Sequence, residues 1–163
     1  MLKIVRSLKE LDFSGLMKVY SEGNLENGRD SYPEEPAGRQ IMLAEQDFYE
    51  YLRQVFFRTE GAVYLVWEER RRYVSALRLE PYQDGLLLEA LETAPEERRK
   101  GFAKMLLREV LQEFAGEKIY SHVHKRNTAS RRIHEACGFQ KILDHAVYAD
   151  GSVLHSSVTY RHE

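Results

Sequence analysis

LEALETAPEERRKGFAKMLL, residues 88–107, decides how the rest of the chain is read. Its first part reads as a strand that ends at Thr93, and a proline-containing turn follows. A helix then opens at Arg98-Arg99-Lys100-Gly101-Phe102-Ala103 and is expected over residues 98–115. Ala103, Leu106, Leu107, Val110, Leu111 and Phe114 build its buried face, and Gly116 marks its stop. The first turn of a helix leaves its backbone N–H groups without intrahelical partners, which makes it an anion seat. Gly101 lets a ligand approach the backbone, and Ala103 leaves room beside it. Arg98, Arg99 and Lys100 stand at the positive end of the helix dipole, where cations work against helix stability. A bound phosphate group explains them; a solvated cluster around a glycine-interrupted helix start is the plainer alternative. Neither G-x-x-x-x-G-K-[ST] nor G-x-G-x-x-G within a parallel βαβ unit is present.

Upstream of this stretch, LKIVR at residues 2–6 reads as a strand, followed by a helix carrying Phe13, Leu16, Met17 and Tyr20. SEGNLENGRDSYPEEPAGR, residues 21–39, is rich in Gly, Pro, Asn and acid and reads as an irregular connection. Ile41, Ala44, Phe48, Leu52 and Val55 restore a helical stripe up to about Arg58. AVYLVWE, RYVSALRLE and GLLLEALET are strands joined by short turns, so antiparallel pairing is expected. Downstream come a strand (KIYSHV), a short helix from Thr128 to Cys137, and QKILDHAVY and SVLHSSVTY, a hairpin turning at Asp150-Gly151. The order predicts a mixed α/β layer fold with a largely antiparallel sheet.

The whole chain has 163 residues, which fits one domain at the usual ~150 residues per domain. With 24 Lys+Arg against 26 Asp+Glu and 43% apolar residues, it is neither strongly basic nor of disordered composition. The near-neutral charge gives no general reason to expect nucleic-acid binding. No apolar run approaches the ~18 residues of a membrane span, and MLKIVRSLKELD is too weakly apolar for a signal peptide. A single cysteine, Cys137, excludes an internal disulfide and argues for a reducing, cytoplasmic setting.

Arg98-x-x-Gly101-x-Ala103 matches the [RQ]-x-x-G-x-[GA] pattern of the GNAT superfamily of acyl-CoA-dependent N-acyltransferases. Asn127-Thr-Ala-Ser130-Arg-Arg-Ile133-His134-Glu-Ala-Cys137-Gly138-Phe139 resembles that family's later segment, and the element order is similar over essentially the whole chain. The resemblance implies a central sheet of about seven strands with helices on both faces. It also implies that strands 85–93 and 118–123 run parallel and splay into a V-shaped slot. The pantetheine arm of acetyl-CoA would lie there against Leu91, Glu92 and Thr93. The pyrophosphate would sit on the N–H groups of Arg99, Lys100, Gly101, Phe102 and Ala103. Asn127 is carried over as a cofactor contact, although a plain helix N-cap explains it equally well. A homodimer is compatible with the resemblance; a membrane or nucleic-acid partner is not expected.

Acyl transfer to an amine requires loss of the amine proton, a donor for the carbonyl oxygen and neutralisation of the departing thiolate. The resemblance implies direct attack on the bound thioester, with a backbone N–H near Leu91 as the oxyanion donor. Strand alternation puts Glu89 and Glu92 on opposite faces, with Glu89 beside Leu87 and Leu91. Some relatives carry a catalytic acid–base residue two positions before the cofactor-contacting leucine, which here is Glu89; a cross-strand ion pair with Arg78 is its structural alternative. Glu92 is the second candidate, and a bulge would change its face. His134 stands where the family usually has a tyrosine, the presumed acid for the CoA thiolate. An imidazolium is chemically competent for that role, and packing on the cofactor arm is the alternative. His122 and His124 share a strand face but lack further ligands, so no metal is expected. Cys137 occupies a position that is normally apolar core, not a nucleophile. Glu22, Glu26, Asp30, Glu34, Glu35, Glu45, Asp47 and Glu50 against Arg29 and Arg39 favour a cationic amine, small molecule or peptide, as acceptor. The rival reading is a non-catalytic acyl-CoA-binding domain on the same fold.

Overall fold

The elements of the computed structural model, which describes residues 1–163, follow in chain order. They are β1 (Leu2–Val5), α1 (Phe13–Val19), α2 (Ser21–Ser31), α3 (Ala37–Gln54), β2 (Val63–Glu69), β3 (Arg72–Tyr82) and β4 (Gly85–Thr93). Then come α4 (Phe102–Glu113), β5 (Ile119–His124), α5 (Thr128–Ala136), β6 (Gln140–Leu143), β7 (Ala146–Val147), β8 (Val153–Leu154) and β9 (Ser157–His162). Seven strands form one sheet in the order β1-β2-β3-β4-β5-β9-β6, and within it only β4 and β5 run parallel. Both faces are covered, which is why Val63 to Trp67 are buried without alternation. On one face Leu65, Leu77 and Leu88 pack against Leu106, Leu107 and Val110 of α4. On the other, Tyr64, Val66 and Ala76 pack against Leu16, Met17 and Leu52 of α1 and α3.

Three boundaries differ from the sequence reading. Residues 21–31 are helical rather than an irregular connection. The α2 helix has no apolar stripe; buried Gly28 packs it on Gln40 of α3, and buried Asn24 donates to the Met17 sulfur of α1 at 3.3 Å. A Cβ on Gly28 would stand 2.5 Å from the Gln40 carbonyl oxygen, so the glycine permits the close approach instead of breaking the helix. Secondly, α4 starts at Phe102, not Arg98, because Arg99 and Gly101 have φ of 61° and 86°, outside the helical region. Thirdly, the C-terminal hairpin turns at Asp150-Gly151 but is split: β6 joins β9 in the main sheet, while β7 and β8 form a separate pair.

Candidate active site

β4 and β5 stay paired for three rows, Leu86 with Ile119, Leu87 with Tyr120 and Leu88 with Ser121, and then part. The slot beyond is a cavity of about 180 Å³ lined by Glu89, Leu91, Ser121, His122, Asn127 and His134. A larger cavity of about 590 Å³ lies over the start of α4 and shares Leu91 and Asn127 with the slot. Glu92, Thr93, Arg98, Arg99, Gly101, Phe102 and Ala103, all singled out from the sequence, line it; Lys100 does not.

The β4 strand carries a bulge. Ala76 pairs with Glu92 and Arg78 with Glu89, so Leu77 faces both Ala90 and Leu91. Glu89 and Glu92 therefore share a face, contrary to simple alternation, and Leu91 joins Leu88 on the α4 side instead of sitting beside Glu89. Ala90 at the bulge has φ of 54°, a strained value for a residue with a Cβ. Its carbonyl accepts a hydrogen bond from the Tyr20 hydroxyl at 2.6 Å, and Tyr64 in turn donates to Tyr20 at 2.9 Å. Burial pushes the Tyr64 phenol up to about 12 and raises Tyr20 as well, so both remain donors at physiological pH. Tyr20→Phe leaves the carbonyl without this donor and is expected to cost about 1–3 kcal/mol in urea unfolding. An unchanged midpoint would show that the bulge holds without the clamp.

The three cations of the loop are not equivalent. Arg98 Nη2 lies 2.7 Å from Glu22 Oε2 and 3.2 Å from Glu92 Oε1, and Arg98 Nε donates to the Thr93 carbonyl. Arg98 thus ties α2 to the end of β4 instead of offering its charge to an anion. Lys100 pairs with Glu97 at 2.6 Å. The positive charge lining the larger cavity without a carboxylate partner is that of Arg99, joined by Lys104 and Arg132. The sequence reading singles out neither Lys104 nor Arg132 for this cavity.

Asn127 caps α5, accepting from the Ser130 N–H at 3.0 Å, and also lines both cavities. Glu89 does pair with Arg78, at 3.2 Å, and the guanidinium lies 5.0 Å from the Tyr51 ring centre. Burial and the neighbouring Glu89 carboxylate both raise the pKa of Glu80. His122 packs edge-on between Tyr82 and Tyr148, and His124 accepts from the Arg126 N–H; no cluster suited to a metal forms. Burial raises the Cys137 thiol pKa, which keeps it protonated.

His134 is 1% exposed, and burial lowers its pKa. Its Nδ1 lies 2.8 Å from the Ser130 carbonyl oxygen and its Nε2 2.9 Å from Ser121 Oγ. The neutral imidazole is thus favoured, opposite to the cationic donor that the family position suggested. A histidine kept neutral in the fold but free to protonate when unfolded contributes stability above its ordinary ~6.5. That contribution is lost as the pH falls below this value towards the folded pKa; His122, also lowered by burial, acts in the same sense. Melting temperature is therefore expected to drop between pH 7 and 5, and His134→Gln to flatten the drop. An equal slope in both proteins would exclude His134 as its source.

A family model described as the Acetyltransferase (GNAT) family matches residues 25–139. The chain belongs to the GNAT acetyltransferase family. No curated protein matches it. Among solved structures, a PaiA N-acetyltransferase of Thermoplasma acidophilum in complex with coenzyme A is 15% identical with TM-score 0.60, covering 100% of this chain and 99% of its own. The ribosomal-protein-S18-alanine N-acetyltransferase of Escherichia coli is 16% identical with TM-score 0.62, covering 99% and 92%. The microcin C7 self-immunity acetyltransferase MccE, in complex with acetyl-CoA and AMP, is 12% identical with TM-score 0.62, covering 99% and 91%. These likenesses agree with the GNAT order of strands and the single parallel β4–β5 pair.

Proposed function

We propose that the protein transfers an acetyl group from acetyl-CoA to a primary amine by direct attack in a ternary complex. The observation that carries this reading is that the cavity at the start of α4 and the slot holding Glu89 adjoin, sharing Leu91, Asn127 and Ser130. The pyrophosphate would lie on the N–H groups at the start of α4, beside Arg99, Lys104 and Arg132, and the pantetheine arm along Leu91–Thr93. Coenzyme A and acetyl-CoA in the PaiA and MccE structures support acetyl-CoA as co-substrate. Proximity of the amine to the thioester supplies much of the rate, and a backbone N–H near Leu91 would hold the oxyanion. Glu89 lines the slot and is the preferred base; Glu92 is the second, and each is paired with an arginine, Arg78 and Arg98, at 3.2 Å.

The acceptor is read as cationic, but on altered grounds. Of the acidic residues between 22 and 50, Glu22, Glu35 and Glu50 are spent on Arg98, Arg39 and Arg53, and Asp47 accepts from Tyr32. The carboxylate that lines the slot is Glu89, with Glu80 beside it. The rival reading, a domain that binds acyl-CoA without transfer, gains from a His134 that is short of a proton to give the thiolate. Free-thiol release from acetyl-CoA, measured against a panel of polyamines, aminoglycosides, amino acids and peptides, separates the two. Binding of acetyl-CoA with no amine-dependent release across the panel would favour the rival.

A further inference from the structure

We propose that Ser121 is a nucleophile within the slot, which takes the acyl group from a bound short-chain acyl-CoA when no amine is present and passes it to water. The protein would then carry a slow acyl-CoA hydrolase activity through an acyl-serine. This rests on the reading that an acyl-CoA thioester enters the slot.

Ser121 stands on β5 in the last row paired with β4, so its side chain sits where the strands begin to part. It shares the slot cavity with His134 and Leu91. The Ser130 carbonyl, 2.8 Å from His134 Nδ1, only accepts hydrogen bonds, so the proton of the neutral ring resides on Nδ1. That leaves the Nε2 lone pair aimed at Ser121 Oγ, 2.9 Å away, and the hydroxyl donates to it. The imidazole plane is fixed by Tyr160, stacked at 5.7 Å and 27°, and by the edge contact of Phe139 at 5.0 Å. A hydroxyl, a base and a group that orients the base are the three parts of an activated serine, recognised by geometry and not by chain order. The lowered imidazole pKa supports the assignment, because a base must start unprotonated. A neutral carbonyl as orienting group stabilises an imidazolium less than a carboxylate does, which is why the activity is expected to be slow.

In the first half-reaction the Oγ–carbon bond forms and the carbon–sulfur bond breaks. The Oγ proton passes to His134 Nε2 and then to the CoA sulfur, so free CoA leaves. In the second half, water adds to the acyl carbon and gives its proton to Nε2. The Oγ–carbon bond then breaks, Oγ recovers the proton, and the acid dissociates to acetate. A bound amine that reaches the thioester first bypasses both steps.

The test uses the whole chain with acetyl-CoA and no amine, following free thiol and the intact and peptide masses. The expected result is amine-independent thiol release, with any acetyl adduct mapping to Ser121. In Ser121→Ala the adduct disappears and this release falls about a hundredfold. Ser121→Cys guards against a variant that misfolds: it should form a thioester adduct that neutral hydroxylamine removes, unlike an acyl-serine. Equal thiol release in wild type and Ser121→Ala, no adduct in Ser121→Cys, or an adduct only on other residues would overturn the proposal. A wild type whose melting temperature acetyl-CoA does not raise would instead overturn the cofactor site itself.

Discussion

Gly101→Glu is expected to abolish binding of coenzyme A and acetyl-CoA. Gly101 caps α4 with φ of 86°, and a Cβ built there meets nothing within 4 Å. Gly101 lines the cavity proposed for the phosphates, so a carboxylate there would put like charge against them and crowd the approach to the backbone. The left-handed conformation adds a strain of about 1–2 kcal/mol for any residue other than glycine. Gly101→Ala carries that strain without the charge or the bulk, and is expected to melt earlier yet still bind. The measurement is the rise in melting temperature with acetyl-CoA; a ligand at 100 times its Kd stabilises the fold by about 2.7 kcal/mol. A Gly101→Glu protein that shifts like wild type would place the cofactor elsewhere.

Glu89→Gln is expected to lower turnover by about 10²–10⁴ while leaving acetyl-CoA affinity nearly intact. The carboxylate faces the slot but is held by Arg78, itself packed on the rings of Tyr51 and Phe56. That clamp fixes the carboxylate in place, and Glu80 lies beside it. The loss should shrink at high pH, where the amine arrives already deprotonated. Unchanged turnover at neutral pH would move the proton to Glu92 or to solvent. Arg78→Met offers a second view, because it leaves the base present but unanchored; its deficit should be smaller and accompanied by a higher KM for the amine.

Local signals carried well into the structure, and long-range ones did not. The run from Gly85 to Thr93 reads directly as a strand, and α4 keeps Leu106, Leu107 and Val110 buried as its period requires. The α2 helix escaped because it is held by a glycine against α3 and an asparagine on α1, with no apolar stripe to mark it. The bulge entered the sequence reading only as a condition on the face of Glu92, since alanine, not glycine, occupies the left-handed position, and the hydroxyl that holds it comes from Tyr20, 70 residues away. Arg98 was legible as a motif residue, whereas its pairing with Glu22 depends on a tertiary contact. His134 was legible as the replacement of a tyrosine; its bond to Ser121 was not, since one lies on β5 and the other on α5.

The placement of β9 between β5 and β6 has a consequence for the order of folding. β5 and β6 never touch; each meets only Ser157–His162 on that side. Until residues 157–162 emerge, β5 is an open edge with a row of unpaired backbone groups, and β6 has no sheet to join. β2, β3 and β4 pair through short turns and can form early, while β1 must reach β2 across α1 to α3 (Leu2 with Trp67) and closure around β5 waits on β9 (Ile119 with His162). A nascent chain would therefore expose this edge from the completion of β5 at His124 until Ser157–His162 emerge, when an unpaired strand recruits another chain most readily.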